Sequence, residues 1–285
     1  MKVSGFTIIR NGIKYFYPFR EAILSILPLC DELIVNIGDS EDNTYNAVKS
    51  IDSNKIRIIQ RKWDMTLREG GMLLSVETNA ALNKCSGDWG VYIQADEILH
   101  EKYIDTVKQG MQHYLNQESV EGLRFRYKHF YGSYDYYQDN YRNWYIKETR
   151  IIKLNRGIVS WGDAMNFKHT DGSPIKSADI DAEIYHYGWV KPPDTMTLKR
   201  QDFHKLYYSD EEINESPVPA LKLDDLGNLR KFESTHPEVM ISRIEMCNWA
   251  FDAKLDQQYP DWIRKIFIFL FPLTKRFKRI LKIKS

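Results

Sequence analysis

The stretch Gly87-Asp88-Trp89-Gly90-Val91-Tyr92-Ile93-Gln94-Ala95-Asp96-Glu97 decides the reading of the fold. Residues 89–93 form a short apolar run of aromatic and β-branched residues, opened by a glycine, which is the pattern of a buried strand. The run stops abruptly at Gln94-Ala95-Asp96-Glu97. In an open α/β sheet, ligands bind at the carboxyl ends of the strands. Carboxylates placed there hold a divalent cation against a diphosphate. The same residues also suit an ordinary strand that leaves the core through a solvated acidic turn, so their surroundings must decide.

Upstream, the pattern repeats. Phe6-Thr7-Ile8-Ile9 is a compact β-rich run followed by the breaker pair Asn11-Gly12. Residues 18–29 place Phe19, Ala22, Ile23, Ile26 and Leu27 at helical spacing, with Pro18 suited to a first turn. Glu32-Leu33-Ile34-Val35-Asn36-Ile37 predicts a second strand, residues 44–51 a helix, residues 55–59 a third strand and residues 73–85 a helix. The order β-α-β-α-β-α-β argues for an α/β fold with a parallel sheet covered by helices on both faces.

Beyond Asp96 the pattern becomes mixed. Helices are expected at 102–115, 195–208 and 240–255, and strands at 122–127, 149–154 and 179–187. The polar segment 209–233, with Pro217 and Pro219, reads as a linker or surface loop. This divides the chain into a domain over 1–210 and, over 211–285, a linker with a C-terminal helical extension and basic tail. That tail joins Ile266-Phe267-Ile268-Phe269-Leu270-Phe271 to eight basic residues after Asp261, a composition suited to an anionic membrane surface or to a docking helix with solvated charges.

Composition narrows the function classes. The chain has 285 residues, 43% hydrophobic and 28% charged, as in soluble globular proteins. A net charge of +1 gives no case for bulk nucleic-acid binding. Cys30, Cys85 and Cys247 are far apart and odd in number, so they form neither a disulfide framework nor a metal cluster and suit a reducing compartment. Residues 1–5 carry no apolar signal region, and no apolar run approaches the roughly 20 residues that span a bilayer. The expected location is cytoplasmic, with the tail peripheral on the inner membrane surface. Six of the 18 tyrosines fall within residues 131–145, a composition that suits either sugar stacking or a buried aromatic core.

In this order and spacing the chain resembles the inverting family 2 glycosyltransferases with a GT-A fold, over residues 3–204. The carriers are Arg10-Asn11 after the first strand, the turn Gly38-Asp39-Ser40-Glu41-Asp42-Asn43-Thr44, Glu77-Thr78-Asn79, and Ser86-Gly87-Asp88-Trp89 leading to Gln94-Ala95-Asp96-Glu97. The resemblance implies transfer of a sugar from a nucleoside-diphosphate donor to a glycan or lipid-linked acceptor, in surface polysaccharide or glycoconjugate synthesis. It implies a divalent cation, Mn²⁺ or Mg²⁺, on Asp96, which stands at the second aspartate of the family's Asp-x-Asp signature. Gln94 replaces the first, removing one negative charge while keeping a donor and an acceptor. His186 becomes a further metal or phosphate ligand. Donor contacts are expected from Arg10, Asn11, Asp39, Arg68, Asn79, Gln94 and Asp96. The general base is expected to be Asp163, with Glu148 as its rival, because an acceptor hydroxyl must lose a proton as it attacks. His169 and His204 read as structural or surface groups. Two other classes remain open: a nucleotidyltransferase, for which Arg10-Asn11-Gly12-Ile13-Lys14 is a poor phosphate loop, and a non-catalytic carbohydrate-binding relative, which Gln94 keeps in play.

Overall fold

A computed structural model describes residues 1–67, 69–139, 144–208, 210–215, 229–251, 253 and 255. Its first strands are β1 (Val3–Ile9), β2 (Glu32–Gly38), β3 (Ile56–Arg61) and β4 (Trp89–Tyr92), with helices α1 (Phe19–Ile26), α2 (Thr44–Lys49) and α3 (Met72–Leu82) between them. They pair in parallel in the order β4-β1-β2-β3, as the alternating pattern predicts. Side chains alternate between the two faces of each strand. Leu33, Val35 and Ile37 therefore join one core with Ile23 and Ile26 of α1, while Ile34 and Tyr92 join a second with Ala81 and Leu82 of α3. Both faces are thus covered, which is why β1 is buried along its whole length.

The remaining strands are β5 (Glu97–Leu99), β6 (Gly122–Tyr131), β7 (Tyr136–Gln138), β8 (Lys147–Lys153), β9 (Ile158–Trp161), β10 (Asn166–His169), β11 (Ser177–Trp189) and β12 (Leu229–Lys231). The main sheet runs β12-β7-β6-β8-β4-β1-β2-β3, with β11 paired to β6 and β5 off this path. β8 is antiparallel to β4 and β6, so the sheet is mixed and flanked by helices, as the resemblance implies. β9 and β10 form a separate hairpin. The later helices are α4 (Ile104–Tyr114), α5 (Pro193–His204), α6 (Asp210–Glu215) and α7 (Ile241–Glu245).

Two expectations are corrected. Part of the polar segment 209–233 is ordered structure: α6 occupies one end, and β12 pairs with β7 at the sheet edge. The helix expected at 240–255 is only α7, and residues 247–250 are not helical. Its apolar residues are taken instead by the body of the protein, where the Trp249 Nε1–H donates to the Gly132 carbonyl at 2.9 Å and its ring packs edge-on against Phe16. The basic tail after residue 261 lies outside the described residues, as do Tyr141 and Arg68.

Candidate active site

The carboxyl ends of β1 and β4 open into a cavity of about 660 Å³, closed on one side by the end of β11 and by α5. That volume suits a small-molecule ligand of nucleotide-sugar size. Arg10, Asn11, Gln94, Asp96, Asp163 and His186 all line it, so six of the residues expected from sequence are brought together. Tyr145 and Trp189 line it as well.

Register explains why Asp96 and His186 meet. β11 runs antiparallel to β5 with His186 opposite Glu97, and parallel to β6 with His186 opposite His129. The turn before β5 then presents Asp96 to the same ring. Asp96 Oδ2 is 3.7 Å from His186 Nε2 and 3.4 Å from the Lys199 ammonium of α5. Burial pushes the Asp96 carboxyl up, but Lys199, His186 and Lys191 outweigh it and hold the group well below the usual carboxylate range.

The hydrogen-bond pattern assigns the histidine tautomers. His129 Nε2 lies 2.8 Å from the Tyr145 carbonyl, which can only accept, so Nε2 carries the proton. Burial, with His186 facing it, pushes His129 down to about 3, so its Nδ1 is a lone pair at neutral pH. His186 Nδ1, 2.9 Å away, must then be the donor. With Nδ1 engaged by His129, His186 turns Nε2 towards Asp96, where the neutral ring would offer a lone pair to a cation. A Cβ on Gly188 would stand 2.6 Å from both Asp96 Oδ2 and His186 Nε2, so glycine leaves open space between the two donors. Two convergent donors and room between them fit a hard divalent cation, which takes its other ligands from phosphate and water. No group of three such side chains converges among the described residues.

Glu97, beside Asp96 in sequence, has a different fate. It is fully buried against Arg150, which donates from Nε at 2.9 Å and from Nη2 at 2.8 Å. The Tyr127 hydroxyl donates to Glu97 at 2.8 Å, and the Gln94 backbone N–H at 3.1 Å. Arg150 also donates to the Met165 carbonyl at 2.8 Å. This pair fixes the turn from Gln94 to Asp96 and ties it to the loop that carries Asp163.

Asp163 sits half-buried in the β9–β10 turn, where its carboxylate accepts from the Tyr207 hydroxyl at 3.3 Å. Gly71 adopts φ 74°, and a Cβ there would stand 2.7 Å from that of Asp163, so only glycine lets the turn lie against the start of α3. Gln94 Nε2 donates to the Ala164 carbonyl at 3.3 Å, which spans the gap between β4 and this turn.

The other expected residues are placed differently. Asp39 is exposed and outside the cavity lining; it accepts from Arg10 Nε and from the Trp63 backbone N–H, each at 3.2 Å, and so braces two residues that do line the cavity. Asn79 is committed to the backbone of Ser160, donating at 2.9 Å and accepting at 2.8 Å, which pins α3 to β9. Glu148 is buried in β8 opposite Phe125 and does not line the cavity. Much of the tyrosine-rich region is core: Tyr131 and Tyr134 are buried, with Tyr131 stacked on Trp189 at 5.8 Å. Of its rings, Tyr145 is at the cavity, 4.5 Å edge-on from His129.

Sequence reasoning missed His129, Lys191 and Lys199. Lys191 is buried, donating to the Tyr15 carbonyl at 3.0 Å over the Tyr17 ring. Burial and the Lys199 charge push it well below the usual lysine range. Thr195-Met196-Thr197-Leu198-Lys199 carries no local signal for a site, since only the crossing of α5 over the cavity makes Lys199 a neighbour of Asp96.

No protein-family profile matches this chain, and no curated protein does. Among solved structures it is similar to Staphylococcus aureus TarS 1–349, at 18% identity over 46% of this chain and 36% of that one, with a TM-score of 0.34. The TarS 1–349 complex with UDP-GlcNAc gives 20% identity, 46% and 35% coverage and the same TM-score of 0.34. Glucosyl-3-phosphoglycerate synthase from Mycobacterium tuberculosis, in complex with Mn²⁺, UDP and phosphoglyceric acid, gives 21% identity, 44% and 43% coverage and a TM-score of 0.32. The matched part of this chain spans less than half the length of each of these three.

Proposed function

We propose that this protein is an inverting glycosyltransferase of the GT-A type, moving a sugar from a nucleoside-diphosphate donor to an acceptor hydroxyl on a glycan or lipid-linked molecule. The observation that carries the reading is the convergence of Asp96, His186 and Lys199 at the carboxyl end of the sheet, inside a cavity whose lining also includes Arg10 and Asp163. An anionic diphosphate needs cations where its charge grows on leaving, and this wall supplies them.

Asp96 and His186 would hold a divalent cation, Mn²⁺ or Mg²⁺, with imidazole favouring Mn²⁺. When bound, it would neutralise charge on the leaving diphosphate. Arg10 faces the cavity from the end of β1 and supplies a fixed positive charge to a phosphate. Gln94 holds the β9–β10 turn and offers its remaining amide valences to the donor. Asp163 takes the acceptor proton. Its place in the cavity lining, against the burial of Glu148 in β8, favours Asp163 as the base. Asn11 and Asp39 support the donor pocket, whose walls exclude water from the reacting carbon. The basic tail is proposed to hold the enzyme at the cytoplasmic face of a membrane; no described helix is long and apolar enough to cross one.

The test is nucleotide release from a panel of sugar nucleotides, with Mn²⁺, Mg²⁺ or chelator, by the unsubstituted protein and by Asp96→Ala. Turnover of one donor, lost in Asp96→Ala, is the expected result. If no sugar nucleotide is turned over with any acceptor extract and none binds calorimetrically, the transferase reading fails.

A further inference from the structure

The Asp96 carboxylate has a cationic neighbour from the chain itself. The Lys199 ammonium lies 3.4 Å from Asp96 Oδ2 and donates to the Gly188 carbonyl at 3.1 Å. It sits 4.7 Å from the centre of the Tyr17 ring and 5.2 Å from that of Phe203, so aromatic faces support the charge. We infer that Lys199 is a displaceable internal counter-ion of Asp96, which leaves the carboxylate when a divalent cation binds and then meets the phosphates of the donor. The inference rests on the nucleotide-sugar reading of the cavity for its second half only; the exchange at Asp96 stands on the geometry.

Three observations support exchange rather than a permanent pair. The contact at 3.4 Å is longer than the roughly 2.7–2.9 Å of a tight charge-assisted hydrogen bond, so it is weakly held. The lysine carries its charge on a flexible four-carbon stem, and α5 lies along the cavity wall, so the ammonium can move without the helix moving. The space left by Gly188, 2.6 Å from both Asp96 Oδ2 and His186 Nε2, lies on the same carboxylate oxygen that faces Lys199. A dication in that space and an ammonium on the same oxygen would repel each other. Gln94 adds a fourth point. Its side chain lines the cavity with Asp96 and is a neutral amide, so it adds no second negative charge to hold the ammonium. The released ammonium stays on the cavity wall beside Arg200, where a diphosphate oxygen would accept from it.

The test uses the full chain and measures two affinities with opposite expected signs. Mn²⁺ alone is titrated by the resonance signal of the free ion, and UDP, GDP, CDP, TDP and ADP are titrated calorimetrically in saturating Mn²⁺. Lys199→Met keeps the apolar stem over Tyr17 and Phe203 and removes the charge. It should bind Mn²⁺ about tenfold more tightly, and bind the preferred nucleotide about tenfold more weakly. Lys199→Arg, which keeps the charge, should move both affinities less. A purely structural lysine would weaken both together or neither. Unchanged or weaker Mn²⁺ binding by Lys199→Met overturns the exchange. If that variant does not fold, acetic anhydride labelling of Lys199 in the unsubstituted protein, read by mass spectrometry, decides: faster labelling on adding Mn²⁺ supports exchange, and an unchanged rate overturns it. If Mn²⁺ affinity rises as expected but no nucleotide binds under any condition, the exchange stands, and the nucleotide-sugar reading fails together with the proposed contact to phosphate.

Discussion

Asp96 and Glu97 are adjacent carboxylates with opposite roles. Glu97 is fully buried, and its oxygens are held by two guanidinium nitrogens, a tyrosine hydroxyl and a backbone N–H. Asp96 faces a cavity, and its side-chain contacts to the Lys199 ammonium and the His186 ring are single and long, at 3.4 and 3.7 Å. A bidentate arginine in a dry site has no cheap alternative, because removing either partner leaves an uncompensated buried charge. A lysine at a cavity edge can exchange its partner for phosphate or water. Backbone position separates the two: Asp96 lies in the turn before β5, at the cavity, whereas Glu97 opens β5 and its side chain enters the core. Residue type does not distinguish them; their placement and partners do.

Four results would break or sharpen that contrast. Arg150→Met should cost about 3–5 kcal/mol of stability, measured by urea unfolding, because it strands Glu97 without its partner. A loss under about 1 kcal/mol would mean that the pair is not the anchor of the turn. Asp96→Asn should do the reverse. Donor turnover should fall about 100-fold or more, while unfolding stability falls by less than in Arg150→Met, because Asp96 has no bidentate partner to strand. Large destabilisation by Asp96→Asn would erase the contrast. Asp163→Asn should lower kcat about 100-fold with donor affinity unchanged, and Glu148→Gln should lower kcat far less, since only a group that reaches the acceptor proton acts as base. Equal losses of kcat would reassign that role.

The smallest effect concerns His236, which supports the core behind the site. The Tyr187 hydroxyl donates to its Nδ1 at 2.8 Å, and its Nε2–H donates to the Tyr134 carbonyl at 3.1 Å. Burial pushes its folded-state value from 6.5 down to about 4, so the neutral ring is favoured in the fold. The unfolded chain binds the proton first, so this contribution to stability is complete above about pH 6.5 and is lost as the pH falls through about 4. His236→Gln should lack that part of the acid-side decline in melting temperature. An identical pH profile would show that His236 is not responsible for it.

The parallel half of the fold was legible because each of its strands is a short apolar run punctuated by glycine, asparagine or proline, and such patterns are local. Asp96, His186 and Asp163 were placed together by the resemblance, and the cavity contains all three. The misreadings have a common cause. Asn79 is a polar residue in a helix with no sequence feature that reveals its two bonds to Ser160. The tyrosines after Phe130 look suited to a sugar because aromatic composition is the same whether rings meet a ligand or one another; Tyr131 and Tyr134 meet neighbouring rings. Lys199 and His129 required the crossing of α5 and the β6–β11 register, contacts between segments far apart in the chain.

The most direct measurement is a crystal structure of the protein with Mn²⁺ and the nucleoside diphosphate that the panel selects, with anomalous data collected at the manganese edge. The expected result is one anomalous peak between Asp96 Oδ2 and His186 Nε2 beside Gly188, with the diphosphate against it and the Lys199 ammonium moved from Asp96 to a phosphate oxygen. A nucleotide bound outside this cavity, or a manganese peak away from Asp96, would contradict the account.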